Sequence, residues 1–112
     1  MSGNPTLIRE VTEIKVSVLE KEPPILVVQA SGTVSTRGWT DPKLTRLVYV
    51  TEPADGIQDY EFMAIRPSGI VPEVITPVSA SDSWDNPPKW VKGVRVKAAT
   101  NSMEDAVFLV AD

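Results

Sequence analysis

Hydrophobic and polar residues alternate along most of this chain, and a period of two is typical of β-strands with one buried face. The first such segment covers residues 10–21, in which polar residues separate Val11, Ile14, Val16 and Val18. Pro23 and Pro24 follow it, and they end the segment because proline cannot donate a hydrogen bond to a neighbouring strand. The pattern therefore predicts a first strand whose four apolar side chains face the core.

Six further segments carry a similar pattern, and we interpret them as strands over residues 25–35, 44–52, 58–65, 70–80, 90–100 and 104–111. The side chains expected on the inner faces of the second, fourth and sixth strands are Leu26, Val28, Ala30, Val34, Tyr60, Phe62, Ala64, Val94, Val96 and Ala98. Arg95 and Lys97 then point outward to solvent. The turn signal Asp55-Gly56 predicts a hairpin between the third and fourth strands.

Two of these segments are less regular than the rest. Pro72 and Pro77 interrupt the fifth segment and make it a poor edge strand. The last segment has a helical alternative with Ser102 as the N-cap, but its short Val-Phe-Leu-Val core favours a strand.

Seven short strands separated by turns rich in glycine and proline predict an all-β fold, an antiparallel β-sandwich. The number and spacing of the strands resemble those of the immunoglobulin-type sandwich, although the chain has no cysteine to form that type's paired-cysteine framework. This resemblance concerns architecture and implies no activity. We expect residues 1–6 to form a flexible N-terminal tail and residues 7–112 to form a single domain.

The amino-acid composition argues against several classes of function. Acidic residues outnumber basic ones by 15 to 11, which disfavours nucleic acid and anionic membranes as partners. The absence of cysteine and histidine removes thiol chemistry, the usual general base and the commonest transition-metal ligand. We therefore expect no enzyme and no cofactor. The N-terminus lacks a basic region followed by an apolar run, so we expect a cytoplasmic protein, with leaderless export left open.

Two acidic clusters could in principle bind calcium, which takes six to eight oxygen ligands. They are Asp82 with Asp85 and Asn86, and Asp55 with Asp59 and Glu61. Neither has the spacing of a known calcium loop, and aspartate and asparagine commonly bond their own backbone in turns. We therefore predict no metal site.

The segment 79–90, "SASDSWDNPPKW", is the first candidate binding site, and we expect it to be a loop between strands. We expect Trp84, Asp82 and Asp85 to form its tip. Trp39, in the loop after the second strand, is a further candidate binding residue. Exposed tryptophans stack on sugars or anchor protein partners, whereas a buried one would cap the end of the sandwich. Trp90 is expected to belong to the sixth strand and to the core.

A second candidate is an apolar face, because several strands carry apolar residues on both sides. The residues expected to form it are Ile25, Val27, Leu47, Tyr49, Met63 and Ile65. A second copy of the chain in a homodimer, or a protein partner, would cover this face. The alternative is that the segment 70–80 of the same chain covers it. The sequence thus favours a non-catalytic protein-interaction module. The alternative is a module that binds a small ligand or carbohydrate through loop tryptophans.

Overall fold

A computed structural model describes residues 3–107, and within this range the chain forms eight β-strands and no helix. The strands are β1 (Pro5–Leu7), β2 (Glu10–Leu19), β3 (Ile25–Thr36), β4 (Thr40–Arg46), β5 (Ile57–Ile65), β6 (Glu73–Asp85), β7 (Gly93–Lys97) and β8 (Ser102–Ala106). They form two sheets packed face to face, which confirms the predicted all-β sandwich.

The smaller sheet has the strand order β2-β3-β6, and all its pairings are antiparallel. The larger sheet is built around β5. Strand β4 pairs with one edge of β5, while β7 and β1 occupy successive parts of the other edge, at residues 57–61 and 63–65 of β5. Strand β8 extends this sheet beyond β7.

The pairing of β5 with β7 is parallel, so the sandwich is not antiparallel throughout as the sequence suggested. The reason is the path of the chain between these two strands. After β5 it crosses to the other sheet and returns along β6, so that β7 starts from the same end of the molecule as β5. Parallel neighbours need such a crossover connection, and here a strand rather than a helix provides it.

The inner faces of the two sheets form the core. Each inward-facing residue predicted for the second, fourth and sixth strands is buried, which confirms the period-two reading of those segments: Leu26, Val28, Ala30, Val34, Tyr60, Phe62, Ala64, Val94, Val96 and Ala98. Arg95 and Lys97 lie on the outer face of β7, also as predicted. Because these apolar side chains pack between the sheets, the register of the central strands is strongly specified.

The largest disagreement with the sequence prediction concerns β6. Its 13 residues make it the longest strand, and it includes most of the segment expected to be a loop, up to Asp85. Pro77 is tolerated because β6 is an edge strand within the described part of its sheet, and an edge proline can leave its nitrogen side unpaired. The sequence predicts a loop here because the outward residues of β6 are Ser79, Ser81 and Ser83, and serine is common in loops.

Other boundaries also differ. Strand β4 lies at Thr40–Arg46 rather than 44–52, and after the bond from Leu47 N to Asp59 O the chain leaves β5. Strand β7 is shorter than predicted, and β1 begins at Pro5, inside the expected tail. Strand β8 starts at Ser102, earlier than predicted, and residues 108–111 of that prediction lie outside the described residues.

The two ends of the molecule are formed by different loops. Its dimensions are 53 × 26 × 25 Å, and the strands run between the two ends. We call the end formed by loops 20–24, 47–56 and 86–92 the Trp84 end, and the end formed by loops 37–39 and 66–72 the Trp39 end.

The two long sides of the sandwich also differ. On the side of β2 and β8, the Asn101 side chain donates to Val11 O and accepts from Val11 N, each at 2.8 Å. Backbone bonds from Ala99 N to Ile8 O and from Thr100 N to Arg9 O continue this closure. On the opposite side β4 lies beside β6, and in the described structure no backbone hydrogen bond joins them. We call this the open side.

The closure by Asn101 gives a stability prediction. Asn101→Ala should lower the free energy of unfolding by about 1–3 kcal/mol, because both backbone groups of the buried Val11 lose their partner. Urea unfolding followed by tryptophan fluorescence measures this change. Ser102→Ala is the control, since Ser102 is exposed and should tolerate the substitution. Equal stabilities of the two variants would show that Asn101 does not hold this side together.

Candidate functional site

A groove of about 720 Å³ lies on the open side, near the Trp84 end. One wall comes from β4 and the segment that follows it, and the other comes from the inward-facing residues of β6 and from loop 86–92. Its most distinctive side chains are Arg46, Tyr49, Asp82, Trp84 and Trp90. The groove exists at this place because the two edge strands approach one another without pairing.

Arg46 lies against the β6 wall of the groove. Its guanidinium carbon is 4.8 Å from the centre of the Trp84 ring, and its Nε is 3.2 Å from Asp82 Oδ2. The cation therefore contacts both the face of an aromatic ring and a carboxylate, two interactions that favour an arginine at this position. Together these contacts join the two sheets across the open side.

Tyr49 holds the opposite wall of the groove in place. Its ring meets the Trp90 ring edge to face, with the centroids 6.1 Å apart and the planes at 77°. The Tyr49 hydroxyl donates to Asp59 Oδ2 at 2.7 Å and accepts from Asp59 N at 2.9 Å. Burial and the bond to Asp59 raise the pKa of Tyr49, so it stays a neutral donor.

Asp59 in turn is held by cations on β7. Arg95 Nε lies 2.7 Å from Asp59 Oδ1, and Lys97 Nζ lies 3.8 Å from the same atom. Burial opposes ionisation of this carboxyl, but the hydrogen bonds from Arg95 and Tyr49 and the charge of Lys97 outweigh burial, so the pKa of Asp59 lies below its usual value. A stable carboxylate therefore anchors the segment that carries Tyr49.

Two polar atoms behind the β6 wall have no hydrogen-bond partner among the residues described, Tyr60 Oη and Asp82 Oδ2. Burial and the nearby charge of Asp82 raise the pKa of Tyr60, which keeps its hydroxyl protonated. Arg46 balances the charge of Asp82 without completing a hydrogen bond to Oδ2. The Asp82 side chain is 21% exposed and lines the groove, but its Oδ2 is buried behind the wall.

The rim of the groove is apolar and open to solvent. Val48 is 94% exposed and Val50 is fully exposed, although both belong to a run of apolar residues. They lie on either side of Tyr49 in the chain, and the anchoring of Tyr49 to Asp59 turns both valines outward. These valines line the groove together with Glu52.

The structure separates the residues of the first predicted site. Asp82 and Trp84 lie in the groove, within β6 rather than at a loop tip, while Asp85 is on the exposed outer face. Trp39 is at the other end, where its Nε1 donates to Thr36 Oγ1 at 3.1 Å and Arg66 lies over its ring. The length of β3 between Leu26, opposite Trp84, and Thr36 is about 33 Å, so these tryptophans do not form one site.

The six residues of the predicted apolar face are also divided. Ile25 and Val27 lie on the outer face of the smaller sheet, and Met63 and Ile65 lie on the outer face of the larger one. Leu47 and Tyr49 line the groove. The segment 70–80 does not cover this set, because most of it is β6 and pairs beside β3 in the plane of the sheet.

Sequence reasoning did not identify Arg46, Val48 or Val50 as site residues. In the predicted strand 44–52 these three residues share the face opposite Leu47 and Tyr49, where the two valines are expected to be buried, and Arg46 carries no separate signal. Trp90 is half-buried against Tyr49, in the loop before β7 rather than within the predicted strand. The alternation places Tyr49 on an apolar sheet face. In the structure its hydroxyl bonds to Asp59, ten residues along the chain, and its ring lines the groove.

The acidic clusters do not assemble into a cation site. Asp55 Oδ1 accepts from Ile57 N at 3.0 Å, which is turn chemistry, and Asp59 is paired with cations. Across residues 3–107 there is no group of three histidine, cysteine or acidic side chains that could hold a metal ion.

Three comparisons were made with known proteins, and no protein-family model, no curated protein and no solved structure matches the chain. The described residues also contain no helix that is long and apolar enough to cross a membrane.

The anchoring of Asp59 predicts a pH-dependent loss of stability. The pKa of Asp59 is depressed in the folded state, so its contribution is present above its unfolded pKa of about 3.9 and is lost as the pH falls through the lower folded value. Asp59→Asn should therefore lower the free energy of unfolding by about 1–3 kcal/mol at neutral pH, and by progressively less as the pH falls below the unfolded pKa.

Urea unfolding across this pH range measures the difference between the two proteins. Glu13→Gln is the matched control, because Glu13 is exposed and should give a small difference at every pH. A deficit of Asp59→Asn that stays constant down to acid pH would contradict the role of the ionised carboxyl.

Proposed function

We propose that the protein is a non-catalytic protein-interaction module that binds its partner through the groove on the open side. The observation that carries this proposal is the pair of exposed valines, Val48 and Val50, at the rim of a groove walled by Tyr49, Trp84 and Trp90. Small monomers rarely keep such residues in water together unless the surface is used for binding.

The composition of the groove supports a protein as the ligand. Tryptophan, tyrosine and arginine are the residues that most often dominate the binding energy of protein interfaces. Here they converge at one place, with Arg46 and Asp82 as polar groups that can set the orientation of a partner. A volume of about 720 Å³ accommodates a few side chains of a partner.

The electrostatics of the groove support a non-catalytic role. Asp82 faces the cation of Arg46, and the raised pKa values of Tyr49 and Tyr60 keep both hydroxyls protonated. General acid–base chemistry works best with a group that titrates near neutral pH. These side chains are instead suited to hydrogen bonding and packing.

A module that binds carbohydrate is the second candidate. It is favoured by the combination of three aromatic rings with the charged side chains of Arg46 and Asp82, because sugar rings stack on aromatic faces while their hydroxyls bond to charged groups. The immunoglobulin-like connection of the strands and the cytoplasmic location expected from the sequence remain predictions that accompany either candidate.

A peptide display library selected against the wild-type protein tests the first candidate. Peptides with apolar residues should be enriched, and their affinity should fall at least tenfold for Val50→Asp, which places a charge at the rim. Thr51→Asp is the matched control, since this exposed neighbour is not part of the groove and the same charge there should leave affinity unchanged.

Two results would contradict the proposal. One is a set of selected peptides that bind Val50→Asp as tightly as the wild type. The other is a library that yields no binder while a panel of sugars quenches the fluorescence of Trp84 and Trp90, which would favour the carbohydrate candidate.

A further inference from the structure

We propose that the groove binds the Trp39 end of a second copy of this chain, so that copies associate head to tail. This inference rests on the proposed function, since it identifies the protein partner of the same groove. It replaces the sheet-face contact expected from the sequence with a contact between the two different ends of the molecule.

The Trp39 end carries an apolar projection. Ile70, in loop 66–72, is fully exposed, and Val74 and Ile75 at the start of β6 are 39% and 55% exposed. Gly69 has a φ of 79°, a conformation that glycine adopts without strain, and it turns the chain just before Ile70. This end therefore presents an aliphatic side chain of the kind that an aromatic groove accepts.

The two apolar surfaces cannot cover each other within one molecule. Val48 and Val50 lie at one end of a particle 53 Å long, and Ile70 lies at the other. One head-to-tail contact between two copies buries both at once. A single such contact leaves one projection and one groove still free on the resulting pair.

Charge favours this arrangement over a contact between like ends. Loops 37–39 and 66–72 carry Arg37 and Arg66 and no acidic residue. The three loops of the Trp84 end carry four acidic residues and three basic ones, the latter being Lys21, Lys89 and Lys92. Two Trp39 ends would bring arginines together. Opposite ends instead place the basic loops against an end whose loops carry a small net negative charge.

Side-by-side pairing through the edge of β6 is disfavoured by the residues of that strand. An antiparallel pair of β6 strands centred on Ser79 would place Glu73 of each copy opposite Asp85 of the other, where like charges are destabilising. Pro77 and the inward-facing Asp82 are also features that protect edge strands from pairing. These features disfavour a dimer that pairs through the β6 edge.

A head-to-tail contact has a recognisable consequence. Its two surfaces differ, so the contact is heterologous, and repetition gives an open chain of copies unless the rotation closes a ring. The wild-type protein should therefore form a distribution of oligomers that grows with concentration, rather than a dimer that saturates.

The test uses two variants, Ile70→Asp and Val50→Asp, each of which damages one end and leaves the other intact. Light scattering across a concentration series should give a single-chain mass for each variant alone. An equal mixture should give twice that mass and no more, because one intact projection meets one intact groove. Ser79→Asp, on the exposed outer face of β6, and Thr51→Asp, outside the lining of the groove, are the controls, and both should associate as the wild type does. Thermal unfolding first establishes that all four variants are folded.

Other outcomes overturn the proposal. A mixture that remains at the single-chain mass excludes the head-to-tail contact, and dimers of either variant alone indicate a contact between like ends. A wild type that stays at the single-chain mass at every concentration also overturns it. In that case the display experiment still decides the proposed function, because selected peptides that depend on Val50 would show that the groove binds proteins other than a second copy.

Discussion

The groove and the surfaces around it depend on one feature of the sandwich, which is that two edge strands lie side by side without pairing. Strands β4 and β6 belong to different sheets, and side chains rather than backbone bonds connect them. Arg46 makes this connection through Asp82 and the Trp84 ring. The opposite side needs no such contact, because Asn101 and adjacent backbone groups close it. The groove is the direct result of this asymmetry.

The wall that faces β6 is organised by one carboxylate. Asp59 lies on the outer face of β5, beside Arg95 on β7, and it receives the hydroxyl of Tyr49. The apolar segment after β4 is thereby fastened at its tyrosine, and the valines on either side are left in solvent. Electrostatic pairing on one sheet thus determines the shape of an apolar surface at the end of the molecule.

Most of the exposed large apolar residues lie toward the two ends of the sandwich, and Met103 on β8 is an exception. Strand β6 carries serines on its outer face and protective residues along its edge, which suits a surface that stays in water. The loops of the Trp39 end are basic, and those of the Trp84 end have a small net negative charge. This distribution is the basis of the proposed head-to-tail association, in which binding depends on the geometry of the loops rather than on the sheets.

The sequence by itself determined the fold class and the inner faces of the central strands. Leu26, Phe62 and Val96 are buried as the alternation predicted, because the alternation that marks one face of a strand is a local property of the sequence. Only the tertiary structure decided which strands pair, where the apolar segment after β4 leaves its sheet, and that Trp39 and Trp84 lie at opposite ends. These features depend on side-chain contacts that no local period encodes. Arg46 with Asp82 joins residues far apart in the chain, and Asp59 with Tyr49 joins residues ten positions apart.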